Sequence, residues 1–326
     1  MKKSFFILLA GLLLFSLTSC SAKKSDNANN RKVKIVCTIF PEYDWAQNIT
    51  GNEDDSTYVS LLLKNGVDLH SYQPSATDFI TISSADIFMY VGGESDAWVS
   101  KALENANNPD MKVINLMEVL KNRVKEEEII EGMQAEEAEE AEDSEEEIEY
   151  DEHVWLSLEN ARIICQYFTD VLCLVLPENA GLYKTNLQEY LKKIDAMDFS
   201  FRSVVENSQN KTLIFCDRFP FRYFTEDYGL KYYAAFAGCS SETEASFETV
   251  AFLSEKLKKS SAPAVLVLEN SDKKIARTVI GNAKEPTCDI LTMDSMQSVT
   301  LRQAFAGVSY INIMQKNLET LQKVLK

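Results

Sequence analysis

Short β-branched and aromatic runs alternate with amphipathic helical stretches along this chain, in two blocks of four. The first block holds "VKIVCTIF", "TYVSLLL", "IFMYVGG" and "KVINL"; the second holds "TLIFCD", "KYYAAFAG", "AVLVLEN" and "DILTMD". Helical patterns such as "SFETVAFLSEKLKKSS" separate them. Strands alternating with helices imply parallel sheets covered on both faces. Each block is therefore expected to fold as an α/β lobe around a four-stranded, mostly parallel sheet flanked by helices. With 326 residues and 45% hydrophobic content, the chain has material for two such cores. No sequence repeat relates the blocks.

Between them, Pro177 opens a pattern in which Leu187, Leu191, Ile194, Met197, Phe201 and Val205 recur every three or four residues up to Asn207. That spacing predicts one amphipathic helix of roughly 30 residues, about 45 Å long at 1.5 Å per residue. A helix of that length joins two lobes as a rigid strut, where a Gly- or Ser-rich linker would make a soft hinge. The expected boundaries are 33–176 for the N-terminal lobe, 177–208 for the linking helix and 209–326 for the C-terminal lobe.

The first residues, "MKKSFFILLAGLLLFSLTSC", run from lysines through an apolar stretch to small residues ahead of Cys20. This order predicts a cleaved signal peptide over 1–19, too short for a membrane span. The ending "LTSC" resembles a bacterial lipobox, which makes Cys20 the expected lipidation site and anchors the protein on the outer face of the cell membrane. The polar "SAKKSDNANNRK" that follows suits a flexible tether over 20–32.

The net charge of −17 is local in origin. Residues 126–152 hold 16 of the 50 acidic side chains and no Lys or Arg, and without them the net charge is near −1. With no basic stripe, the composition excludes a nucleic-acid partner. The acidic run itself reads either as a solvated insert that repels itself or as a weak collector of divalent cations. Six cysteines follow Cys20, at 37, 165, 173, 216, 239 and 288, with no C-x-x-C pair, so zinc-finger spacing is absent. Several lie in apolar runs, where a thiol packs as a small hydrophobe.

The chain has only two histidines. His70 lies in "LLLKNGVDLHSYQPSATDF", beyond a strand and a Gly turn, at the sheet edge where open α/β folds bind ligands. His153 ends the acidic run and precedes the helical pattern of Leu158, Ala161, Ile164 and Phe168. Two imidazoles at such junctions can converge on one metal ion. Taken singly, each is more often a structural histidine.

"GVDLHSYQPSATDFITISSADIFMYVGG" followed by "YDEHVWLSLENA" resembles the paired signatures of the metal-binding lipoproteins of ABC transporters, the zinc and manganese solute-binding proteins of the ZnuA-like family. "FPEYDWAQNITG", "RYFTEDYGL", "SETEASFETV" and "SYINIMQKNLETLQKVL" match in the same order, so the resemblance covers residues 33–326. It implies two α/β lobes joined by a long helix, with one metal held between them by two side chains from each lobe. His70 and His153 then stand at the N-terminal lobe's ligand positions, and Asp294 in "ILTMDSMQ" at one of the C-terminal lobe's.

The third ligand departs from the family pattern, which usually has His or Glu five residues before the Tyr of "YF…YGL". Here that position is Arg218, whose guanidinium offers only donors. Asp217 next to it is the expected substitute, with Cys216, Glu242 and Glu244 as alternatives; equally, Asp217 could pair with Arg218 or Arg222 as a structural ion pair. Arg218 is expected to turn away from the cation.

The resemblance implies a monomeric, non-enzymatic protein that captures a divalent metal, zinc first and manganese or iron as alternatives, and delivers it to an ABC transporter permease. Imidazole suits all three ions, and added carboxylates would favour manganese. A surface metallohydrolase with Glu152 as base and an adhesin lipoprotein with a structural metal are the competing classes. No H-E-x-x-H supports the former.

Overall fold

A computed structural model describes residues 31–51, 55–134, 149–240, 244–260 and 262–326. The signal peptide, Cys20, most of the tether and residues 135–148 of the acidic run lie outside the described residues. Among the described residues, no helix is long and apolar enough to cross a membrane.

All eight expected runs form strands: β1 (Val33–Cys37), β2 (Thr57–Leu61), β3 (Ile87–Tyr90) and β4 (Lys112–Asn115), then β5 (Thr212–Phe219), β6 (Lys231–Ala237), β7 (Ala264–Val267) and β8 (Asp289–Thr292). They pair as two parallel sheets with the orders β2-β1-β3-β4 and β6-β5-β7-β8. The two lobes therefore share one topology although no sequence repeat relates them. Both orders reverse direction beside the first strand of the sheet, which opens a crevice at the strands' carboxyl ends. The central strands are sealed on both faces: Ile35, Val36 and Cys37 of β1, and all four residues of β7, are buried.

The linking helix runs from Ala180 to Glu206, 27 residues and about 40 Å long. It starts three residues later than the periodicity implies, because Pro177–Asn179 form a separate 3₁₀ turn after Leu176. Tyr183, Leu187, Tyr190, Leu191, Ile194, Met197, Phe201 and Val205 are its buried residues. That stripe packs against helices Phe40–Thr50, Leu158–Val175 and Tyr310–Val324. One hydrophobic core consequently runs through both lobes and the strut, and a second cluster fills the far side of the second sheet.

The start of the acidic run is packed. Gln134 bridges to Phe236 of β6, with its backbone N–H donating to the Ala235 carbonyl at 2.9 Å. Glu128 pairs with Arg222 at 2.7 Å, and Glu127 accepts from the Cys239 backbone N–H at 2.9 Å. The first residues of the run thus lie along the edge of the C-terminal lobe, where Arg222 and the Cys239 backbone N–H meet its carboxylates.

Candidate metal centre

Each histidine is placed by local chain chemistry. Beyond β2, the Asp68 carboxylate accepts from the His70 backbone N–H at 3.0 Å and caps the 3₁₀ turn Leu69–Ser71. His153 precedes the 3₁₀ turn Val154–Leu156, and Ser157 caps the helix Leu158–Val175. This segment is clamped by the other lobe. Trp155 Nε1 donates to the Ser295 carbonyl at 2.9 Å, Tyr310 Oη donates to the Trp155 carbonyl at 2.8 Å, and Tyr223 Oη donates to the Asp151 carbonyl at 2.7 Å.

The two rings meet at their far nitrogens. His70 Nε2 lies 3.1 Å from His153 Nε2. Each Nδ1 is held from behind: that of His70 by Ser95 Oγ at 2.8 Å, and that of His153 by Asp151 Oδ1 at 3.0 Å. The same Asp151 oxygen accepts from the His153 backbone N–H at 2.8 Å. A carboxylate behind the outer nitrogen of an imidazole fixes its tautomer and orients the other nitrogen for a metal. Two Nε2 lone pairs facing at this distance repel unless a cation lies between them.

Burial and then the neighbouring His153 charge hold the His70 pKa down to about 3. Burial also opposes charging His153, but the Asp151 carboxylate, by its charge and its hydrogen bond, leaves the pKa of that ring raised. His153 is therefore the more basic ring of the pair and His70 the less basic.

Cys239, which the sequence reading passed over as a ligand, is the third member of the cluster. The ligand atoms of His70, His153 and Cys239 all lie within 4.8 Å of one another. Cys239 follows β6, and the preceding residue, Gly238, brings the backbone close against the His153 ring. A Cβ there would stand 3.0 Å from His153 Cε1 and 3.1 Å from Nδ1. The available signal was a Gly-Cys pair ending a strand at the carboxyl edge of the second sheet.

Asp217 and Asp294 stand outside this cluster. Asp217 lines a cavity of about 520 Å³ together with His70, Cys216, Arg218, Cys239 and Glu269. Its oxygens accept from two backbone N–H groups, that of Arg218 at 3.0 Å and that of Leu268 at 3.3 Å. Asp294 follows β8, accepts from the Met296 N–H at 2.8 Å, and is pushed up to about 6 by burial and then by Glu269. Arg218 reaches across to the first lobe and pairs with Asp68 at 2.6 Å. Cys216 is buried, Glu244 is exposed, and Glu242 lies outside the described residues.

The profile of a family described as "Zinc-uptake complex component A periplasmic" matches residues 35–324. The chain belongs to this family. It is 29% identical over 322 residues, 98% of its length, to the zinc-binding lipoprotein AdcA of Streptococcus pneumoniae. It spans only 61% of the length of that relative. It is also 28% identical to the high-affinity zinc uptake system protein ZnuA of Bacillus subtilis, covering 98% of this chain and 96% of that one. The Zn(II)-bound ZnuA-like domain of Streptococcus pneumoniae AdcA superposes with a TM-score of 0.68 at 26% identity, over 90% of this chain and 99% of that domain. The family's architecture is the one described above, two parallel four-stranded sheets joined by a long helix.

Proposed function

We propose that this chain captures zinc outside the cytoplasm and delivers it to an ABC transporter permease, acting as a monomer tethered to the membrane by lipid on Cys20. The observation that carries the reading is the pair of Nε2 atoms 3.1 Å apart with both Nδ1 atoms engaged from behind. Ligands on a tetrahedral zinc at about 2.0–2.1 Å stand about 3.3 Å from one another, so the rings are already at binding distance. His70 and His153 are the ligands of the N-terminal lobe. No reaction follows. Membership in an uptake-component family and the zinc-binding names of the relatives support this reading.

Zinc titration of the metal-stripped full chain by calorimetry tests it. His70→Ala and His153→Ala should each weaken the tight site by at least about a hundredfold, beyond what loss of an outer partner costs, with the circular dichroism unchanged. Parental zinc affinity in both variants would refute the assignment.

A further inference from the structure

We propose that Cys239 supplies the C-terminal lobe's metal ligand, as a thiolate, and thereby sets the site's preference for zinc over manganese. This inference rests on the zinc-capture reading and specifies its ligand set.

The position where relatives were expected to keep their third ligand holds Arg218, and its guanidinium is bound to Asp68. Asp217 beside it is anchored by two backbone donors. The C-terminal lobe instead presents Cys239 to the paired imidazoles, from the carboxyl end of β6. Three features fix the thiol there. Gly238 lets the strand end touch the His153 ring, and the Cys239 N–H donates to Glu127. The residue also lines, with His70, both the 520 Å³ cavity and a smaller one of about 250 Å³ bounded by Glu94, Glu127 and Glu152. A metal held by the two histidines would take the Cys239 sulfur as its third ligand, and the larger cavity would leave room for water.

In a tetrahedral zinc site the sulfur would stand at about 2.3 Å from the metal and about 3.6 Å from each nitrogen. The ligand atoms of the three residues already lie within 4.8 Å of one another, so the sulfur would have to approach the imidazoles by no more than about 1.2 Å. Burial, then the negative charges of Glu127, Asp151 and Glu152, keep the free sulfur as an uncharged thiol. On binding, the S–H bond gives way to a metal–sulfur bond, and the proton leaves to solvent. A soft thiolate favours zinc and disfavours manganese, whereas an all-imidazole and carboxylate set discriminates less.

The test loads the metal-stripped full chain with Co(II) as a spectroscopic stand-in for zinc. A sulfur-to-cobalt charge-transfer band is expected in the parent, absent in Cys239→Ser and retained in Asp217→Asn. In the same preparations Cys239→Ser should lose at least about a hundredfold in zinc affinity while manganese affinity moves much less. Zinc should also protect Cys239 in the unaltered protein from alkylation, mapped by mass spectrometry, with Cys173 and Cys288 as unprotected references. Tight binding that depends on His70 and His153, without a band and without protection of Cys239, would overturn the thiolate and leave zinc capture standing. Absence of tight binding altogether would overturn both.

Discussion

Asp151 offers the sharpest quantitative handle on the site, because one of its oxygens serves two buried donors of the same histidine. It is 2% exposed and His153 is fully buried, so solvent screens neither. Changing Asp151→Asn keeps an oxygen in that place and removes only the charge. A hydrogen bond to a charged acceptor is worth about twice a neutral one, which makes the loss about 1–1.5 kcal/mol. Zinc affinity should then fall about tenfold near pH 8. Asp151→Ala strands both donors, so its loss should approach a hundredfold and carry a stability cost of about 1–3 kcal/mol. The pH dependence supplies a second check. Asp151 raises the pKa of His153, so in the parent a proton on that ring competes with zinc increasingly as pH falls. In Asp151→Asn that competition is weaker, and the gap between parent and variant should narrow toward about pH 6. Competition titrations with a chromophoric chelator across this range read both effects. A variant with parental affinity near pH 8, or a gap that widens on acidification, would refute the reasoning.

Arg218→Gln should reduce stability by less than about 1 kcal/mol, since the Arg218–Asp68 pair is about a quarter exposed, and should leave zinc affinity within a few-fold of the parent. Denaturant melts and zinc titration check the two halves. Glu42 is fully buried and its pKa is pushed up from 4.5 to about 8 by burial and then by Asp96. The folded state therefore keeps a proton that the unfolded chain releases above about pH 4.5, and this contribution to stability is lost as pH rises from there to about 8. It amounts to about 5 kcal/mol at most, and Glu42→Gln should flatten that slope in unfolding curves measured across the window.

The fold was legible because its determinants are local. Eight apolar, β-branched runs and the Leu187 to Val205 stripe define strands and strut by periodicity, and the strut's ends moved inward, to Ala180 behind the 3₁₀ turn at Pro177 and to Glu206. The site was legible in part. His70 and His153 stand out by scarcity and by their place at element junctions, and the structure brings their rings together. Asp151 and Cys239 were not recognised, for different physical reasons. Asp151 acts through a bond to a ring two residues away, which depends on a chain reversal that composition does not show. Cys239 meets the histidines through the close approach of Gly238, just beyond β6, to the His153 ring, a contact between residues far apart in sequence. Asp217 is the expected third ligand because it ends the run "TLIFCD" one residue from the family's ligand position, and it lines the cavity beside His70 and Cys239 without joining their cluster. The backbone N–H of Leu268, just beyond β7, donates to one of its oxygens, and no local pattern reveals that bond.

X-ray absorption at the zinc edge on the full chain loaded with one equivalent of zinc tests the central claim directly. The account predicts two imidazole shells at about 2.0–2.1 Å in the parent, with one imidazole lost in His70→Ala and one in His153→Ala. A zinc environment of oxygen ligands alone, unchanged in both variants, would contradict it.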